Sequence, residues 1–200
     1  MQIEHEATFE NIPKDVARDL LRKAGAELVR PEFMQRRCVF NLPTGHEIEG
    51  GWLRVRDEGN KVTMSLKVVD GDKIENQKEI CLTVDSFDEA KEFLTLVGAE
   101  QKAYQETKRE LWKLDGVEIT IDEWPFLEPF VEIEGPNEES VRVVAEKIGF
   151  DYAQALFCSV DTLYARKYGF EEDHFNNHSD LVIFDMKNPF VSVDKTKIIE

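Results

Sequence analysis

The feature that most constrains this chain is an alternation. Stretch after stretch carries apolar side chains at every second position, with charged or hydroxyl side chains between them. Successive side chains of a β-strand point to opposite faces, so each such stretch reads as a strand with one apolar and one polar face. Gly51–Asp57 sets Leu53 and Val55 against Arg54 and Arg56. Residues 61–69 set Val62, Met64, Leu66 and Val68 against Thr63, Ser65 and Lys67. Gln77–Val84 sets Ile80, Leu82 and Val84 against Glu79, Cys81 and Thr83, and Val117–Glu123 sets Val117, Ile119 and Ile121 against Glu118, Thr120 and Asp122. Near the ends, Ile3, Ala7 and Phe9 oppose Glu4, Glu6 and Thr8, while Val131 and Ile133 oppose Glu132 and Glu134. Residues 33–41 and 103–113 complete the strands, with Thr107 and Arg109 sharing a face.

Three helices interrupt this pattern. Lys14–Ala24 has Val16, Leu20, Leu21 and Ala24 at helical spacing and stops at Gly25. Residues 86–97 open with Ser86 and Glu89 in the spacing of a capping box. A third runs from Asn137 or Glu138 to Ile148 and ends at Gly149. Gly59-Asn60, Asp70-Gly71 and Asp115-Gly116 sit where tight turns join strands. Short turns favour antiparallel pairing, so the fold class is α+β with a mainly antiparallel sheet, its apolar side covered by helices. Residues 151–200 read as less regular, with aromatic side chains that pack part of the segment on the body.

Composition narrows the function. With 41 acidic and 25 basic side chains the net charge is −16. That disfavours a nucleic-acid binder or docking on an anionic membrane, and it obliges any anion site to be a local basic cluster, a metal site or both. No apolar stretch approaches the roughly 20 residues of a membrane span, and the acidic start MQIEHEATFE is not a signal peptide. Three widely spaced cysteines, Cys38, Cys81 and Cys158, read as reduced cytoplasmic thiols. The polar faces are then either a solvated open sheet or the lining of a sheet curled shut, and alternation alone allows both. Their content is unusual, because Glu4/Glu6, Glu132/Glu134 and Arg54/Arg56 are like-charged pairs two residues apart. Such pairs are unfavourable unless something offsets them, as divalent cations would for the carboxylates and a polyanion for the arginines.

In this order, Glu4/Glu6, Leu53-Arg54-Val55-Arg56, Ser65-Leu66-Lys67, Lys108 to Trp112, Ile121-Asp122 and Phe130 to Glu134 resemble the CYTH family, the triphosphate tunnel metalloenzymes. Class IV adenylyl cyclases, thiamine triphosphatases and inorganic triphosphatases belong to it. The resemblance spans about residues 1–165, leaving 166–200 as an extension that packs on or near it. It implies an eight-stranded antiparallel closed barrel with helices outside and the polar faces inward. It implies a small-molecule triphosphate bound by Arg54, Arg56, Lys67 and Arg109, and Mg²⁺ or Mn²⁺ held by Glu4, Glu6, Asp122, Glu132 and Glu134. Glu6, Lys67 and Arg109 would act in catalysis, with Glu79 a lesser acidic candidate. Hydrolysis of the triphosphate is the leading expectation, ahead of cyclase chemistry and of a non-catalytic polyphosphate- or nucleotide-binding module. A homodimer is compatible with this reading.

Several positions depart from the family pattern. Thr8 and Thr107 fall where the family carries lysines, with Lys108 a positional substitute for the second, and the family's Asp and Tyr are not found in Arg36-Arg37-Cys38-Val39-Phe40. Outside the resemblance, His5 reads as packed rather than ligating, Cys81 as no nucleophile, and Trp124-Pro125-Phe126-Leu127 as a packed turn. His174 and His178 are four apart, but Asn176-Asn177 between them suggests a loop rather than a metal-binding helix face.

Overall fold

The computed structural model describes residues 1–192. Ten strands form one sheet: β1 Gln2–Ile3, β2 His5–Phe9, β3 Glu27–Asn41, β4 Gly51–Asp57, β5 Val62–Val69, β6 Gln77–Val84, β7 Glu100–Leu114, β8 Val117–Glu123, β9 Phe130–Gly135 and β10 Leu181–Val182. Five α-helices accompany them: α1 Lys14–Ala24, α2 Phe87–Leu96, α3 Glu138–Ile148, α4 Val160–Tyr168 and α5 Glu172–His178. The strand order is β1-β6-β5-β4-β3-β7-β8-β9-β2, with β10 added to β7.

The two ends of that order are consecutive in the chain. β1 pairs with β6 and β2 pairs with β9, and only Glu4 lies between them. The N-terminal strand therefore spans the gap between the sheet's edges. Glu4 N–H donates to Gln77 O at 2.9 Å and Gln77 Nε2 donates to Glu6 O at 2.8 Å. Counted with β1 and β2 as one strand, this is the eight-stranded antiparallel barrel expected. Closure removes exposed edges and separates an inner from an outer face. β10 alone pairs in parallel, Leu181 beside Tyr104.

The outer face is covered unevenly. Leu21 of α1 and Val141, Val144 and Ile148 of α3 pack on Ile119, Ile121, Val131 and Ile133. Phe87, Ala90 and Leu94 of α2 cover Cys38, Phe40 and Val55. Ser86 caps α2 by accepting from Glu89 N–H at 3.2 Å, as the sequence implied. The expectation of helices over the whole apolar side fails on β6, where Ile80 and Leu82 are 45% and 52% exposed. No described helix packs over them.

The C-terminal region is more regular than its sequence suggests. Helix α4 runs across residue 165, and Leu163, Tyr164, Phe170, Phe175, Val182 and Phe190 join Trp124 and Phe130 in one apolar cluster. The packed turn expected at Trp124 is part of this cluster. Phe126 holds a left-handed backbone, φ 66°, strained for a bulky side chain. Two hydroxyls secure that turn: Tyr164 donates to Pro125 O and Tyr168 to Phe126 O, each at 2.6 Å. Gly50, just before β4, has φ +65°, and a Cβ there would stand 2.0 Å from Val69 O. That close approach is why glycine precedes β4.

Candidate functional site: a charged cavity inside the barrel

The inward faces carry the polar halves of the alternation and enclose a cavity of about 1000 Å³. Its walls include Glu4, Glu6, Arg54, Arg56, Lys67, Glu79, Arg109, Glu132 and Glu134. Residues 155–162 and side chains of α5, among them Phe175 and Asn176, close over part of it. Strand register brings the charges together. Glu6 stands opposite Glu134, which stands opposite Glu118, a row of carboxylates across β2, β9 and β8. One step along, Thr8, Glu132 and Thr120 form the next row. On the other wall Arg37 is opposite Arg56, and Lys67 opposite Glu79.

Ion pairs hold several of these groups. Arg109 makes two bonds to Asp122, at 2.7 and 2.9 Å, and a third to Glu132 at 2.6 Å. Thr120 Oγ1 also donates to Asp122, at 2.6 Å. Arg54 pairs with Glu79 at 2.9 Å, Arg56 with Glu58 at 2.9 Å and Lys67 with Glu4 at 2.8 Å. Among the described residues Glu6 and Glu134 face each other with no ion pair.

Electrostatics follow from burial and crowding. Burial, with Glu6 and Asp122 adding repulsion, pushes the Glu132 carboxyl up to about 8. Burial does the same for Glu4, also to about 8, with Glu6 and Glu79 adding to it and Lys67 opposing. Glu134 is raised by burial and by Glu6. Burial alone would weaken the charge on Arg109, but Asp122 and Glu132 outweigh it and raise its pKa. Arg56 falls to about 10 through burial and the neighbouring Arg54 and Arg109.

Asp122 departs from the set expected to hold metal. It is wholly buried beneath Arg109 and Thr120 and is not part of the cavity wall. Lys108 does not enter the cavity; its ammonium lies over the Phe184 ring and 3.6 Å from Glu123. His174 and His178 correct the loop expectation, since both lie on α5 with their rings stacked at 4.7 Å. The Cys81 thiol is pushed up by burial and Glu79, away from a reactive thiolate. Glu118 continues the carboxylate row in register but is exposed and stands outside the cavity wall. One wall residue was missed. Arg37 shares parity with Gln35 and Val39, opposite the apolar Cys38 and Phe40.

The carboxylates suit a hard divalent cation in donor type and in crowding, Glu6 and Glu134 above all. Among the described residues no three His, Cys, Asp or Glu side chains stand close enough to hold a metal as they lie. Lys67 and Arg109 occupy Glu4 and Glu132 instead.

The comparisons agree with this fold. Residues 40–163, more than half of the chain, match the CYTH domain family. A candidate adenylate cyclase from Vibrio parahaemolyticus superposes with TM-score 0.70 at 14% identity, covering 82% of this chain and 98% of that one. A conserved hypothetical protein from Pyrococcus furiosus gives TM-score 0.66 at 23% identity, covering 80% and 99%. A candidate adenylyl cyclase from Hippeastrum, described as having a dominant triphosphatase activity, gives 0.55 at 13% identity, covering 84% and 97%. No curated protein matches the sequence. At such identities these likenesses establish the fold, and the family match establishes the kinship.

Proposed function

We propose that this chain, which belongs to the CYTH family, hydrolyses a small-molecule triphosphate in its barrel cavity with Mg²⁺ or Mn²⁺. One observation carries the reading. Buried donors with no hydrogen-bond partner in the protein cluster at the cavity: the Nε atoms of the wall residues Arg37, Arg54 and Arg56, with Gln35 Nε2 and the Thr63 and Ser65 hydroxyls on the same strand faces behind them. Buried donors are rarely left unpaired, and three wall guanidiniums with unused donors suit a ligand rich in acceptor oxygens. A triphosphate supplies such oxygens, and in a chain of net charge −16 a basic cluster at one cavity makes a local anion site.

In this reading Arg54, Arg56, Lys67 and Arg109 bind the phosphate oxygens. Arg109 is aligned by Asp122, whose role becomes that of a positioning residue. Glu6 and Glu134, with Glu4 and Glu132, would hold the divalent cation, which would neutralise phosphate charge and orient water. Water attacks the terminal phosphorus, the bond from that phosphorus to the bridging oxygen breaks, the diphosphate departs on that oxygen, and the proton shed by the water passes to solvent, leaving orthophosphate. The cytoplasm is the compartment implied, and the free Cys38, Cys81 and Cys158 agree with it. Among the described residues no helix is long and apolar enough to cross a membrane.

The test is phosphate release from tripolyphosphate, ATP and thiamine triphosphate, with Mg²⁺ or Mn²⁺ and with chelator. Metal-dependent release of orthophosphate from at least one of them is expected. Cyclic AMP and pyrophosphate from ATP in its place would assign the cyclase reaction. Tight binding without turnover would assign a binding module.

A further inference from the structure

Among the described residues two cavity-wall cations, Arg37 and Lys102, lie outside the ion-pair network, and of the two only Arg37 is buried. It is only 5% exposed, and among the described residues no carboxylate pairs with it. Its Nη2 donates to two neutral oxygens, Gln35 Oε1 at 3.0 Å and Thr107 Oγ1 at 2.6 Å. Its guanidinium lies 4.6 Å from the centre of the Trp124 ring. Its Nε has no partner, and neither has the amide nitrogen of Gln35 beside it. It also adds to a like-charged group, since Arg56, Arg54 and Arg109 all disfavour its charge after burial has done so.

A buried guanidinium with neutral partners and three cationic neighbours destabilises an empty site. A structural role would be served better by a neutral side chain of similar length. The neutral contacts do something more specific: the aromatic face and the two oxygens fix the plane of the guanidinium at the cavity wall and leave its Nε unused. We propose that Arg37 is a phosphate-binding residue, the fourth guanidinium of the anion site, set on Trp124 as a platform. The proposal rests on the triphosphate reading above and assigns within it a contact that the sequence motifs did not supply. The platform is braced from outside the barrel, because Tyr164 and Tyr168 of α4 secure the turn that follows Trp124.

The consequence is a pair of effects of opposite sign. Replacing Arg37 by Met keeps the length and removes the charge, so the ligand-free protein should melt at a higher temperature. The same change should weaken tripolyphosphate binding about tenfold or more, the scale of one charge-assisted hydrogen bond. Arg37→Lys, which keeps a charge but loses the fork, should recover only part of that affinity. Calorimetric titration of tripolyphosphate into the full chain, with thermal melts of each protein alone, reads both. Arg56→Ala serves as the reference for the site as a whole. If wild type itself fails to bind tripolyphosphate, the underlying reading fails. If wild type binds and Arg56→Ala weakens it while Arg37→Met and Arg37→Lys bind as wild type does, only the Arg37 assignment is overturned. A lowered melting temperature in Arg37→Met with unchanged affinity would make Arg37 structural and would also overturn it.

Discussion

Arg109 is the group on which the cavity's charge balance turns. It is bonded twice to Asp122 and once to Glu132. Replacing it with Met removes the counter-charge of both carboxylates at once. Asp122 is 0% exposed and among the described residues keeps the Thr120 hydroxyl as its remaining side-chain partner. Removing one member of a buried pair costs about 3–5 kcal/mol. The lower figure applies here, because the Glu132 side chain is 20% exposed and can take up a proton. Relief of repulsion with Arg37 and Arg56 trims the loss further. We therefore expect about 3 kcal/mol, which for a chain of this size lowers the melting temperature by about 6–12 °C. Typical stabilities of about 5–15 kcal/mol leave such a variant folded at room temperature. The assay is a thermal melt of metal-free protein followed by circular dichroism. Arg109→Met/Asp122→Asn should recover most of the loss, since the uncompensated charge is then gone. A melt within about 2 °C of wild type for the single variant, or no recovery in the double, would refute the reasoning.

Three further outcomes follow from the same charges. Glu132 and Glu4 hold their protons more tightly in the folded chain, at about 8 against 4.5 for the ordinary carboxyl. Their contribution to stability is thus complete below pH 4.5 and lost as the pH rises towards 8. Melts of chelator-treated protein should fall in temperature across that window, and Glu132→Gln should flatten the curve; a flat or rising wild-type curve would count against it. Glu6→Gln and Glu134→Gln should each weaken Mn²⁺ binding about tenfold or more while leaving the metal-free melt unchanged or higher, because each relieves a like-charged cross-strand pair. Unaltered Mn²⁺ titrations in both variants would remove these carboxylates from the metal site.

The barrel wall was legible because burial on a strand has a period of two. Gly51–Asp57, Gln77–Val84 and Val117–Glu123 fold as their alternation implies, with Arg54, Arg56, Glu79 and Asp122 turned inward. Alternation cannot distinguish an open sheet from a closed one, since both have the same parity. Closure depends on Glu4 joining β1 to β2 across the gap, a long-range event with no local signal. Arg37 was hidden for a related reason. It sits beside Arg36, which faces outward over Phe87 and pairs with Asp57, so the dipeptide alone does not say which arginine turns in. The signal lay in Cys38 and Phe40, whose apolar parity fixes Arg37 on the opposite face. Helices α4 and α5 escaped because tertiary packing of Tyr164, Phe170 and Phe175 against Trp124 stabilises them more than helical propensity does. The expected substitution of Lys108 for a lysine at 107 failed because no bulge reverses the strand there: Lys108 pairs in register with Glu123.

The most direct test of the charged cavity as a triphosphate and metal site is a crystal structure of the full chain soaked with tripolyphosphate and Mn²⁺, recorded at the manganese absorption edge. The account predicts an anomalous peak against Glu6 and Glu134 inside the barrel, with phosphate density reaching Arg54, Arg56 and Arg109 beside it. Manganese and phosphate bound together outside the barrel, with the cavity empty of both, would contradict it.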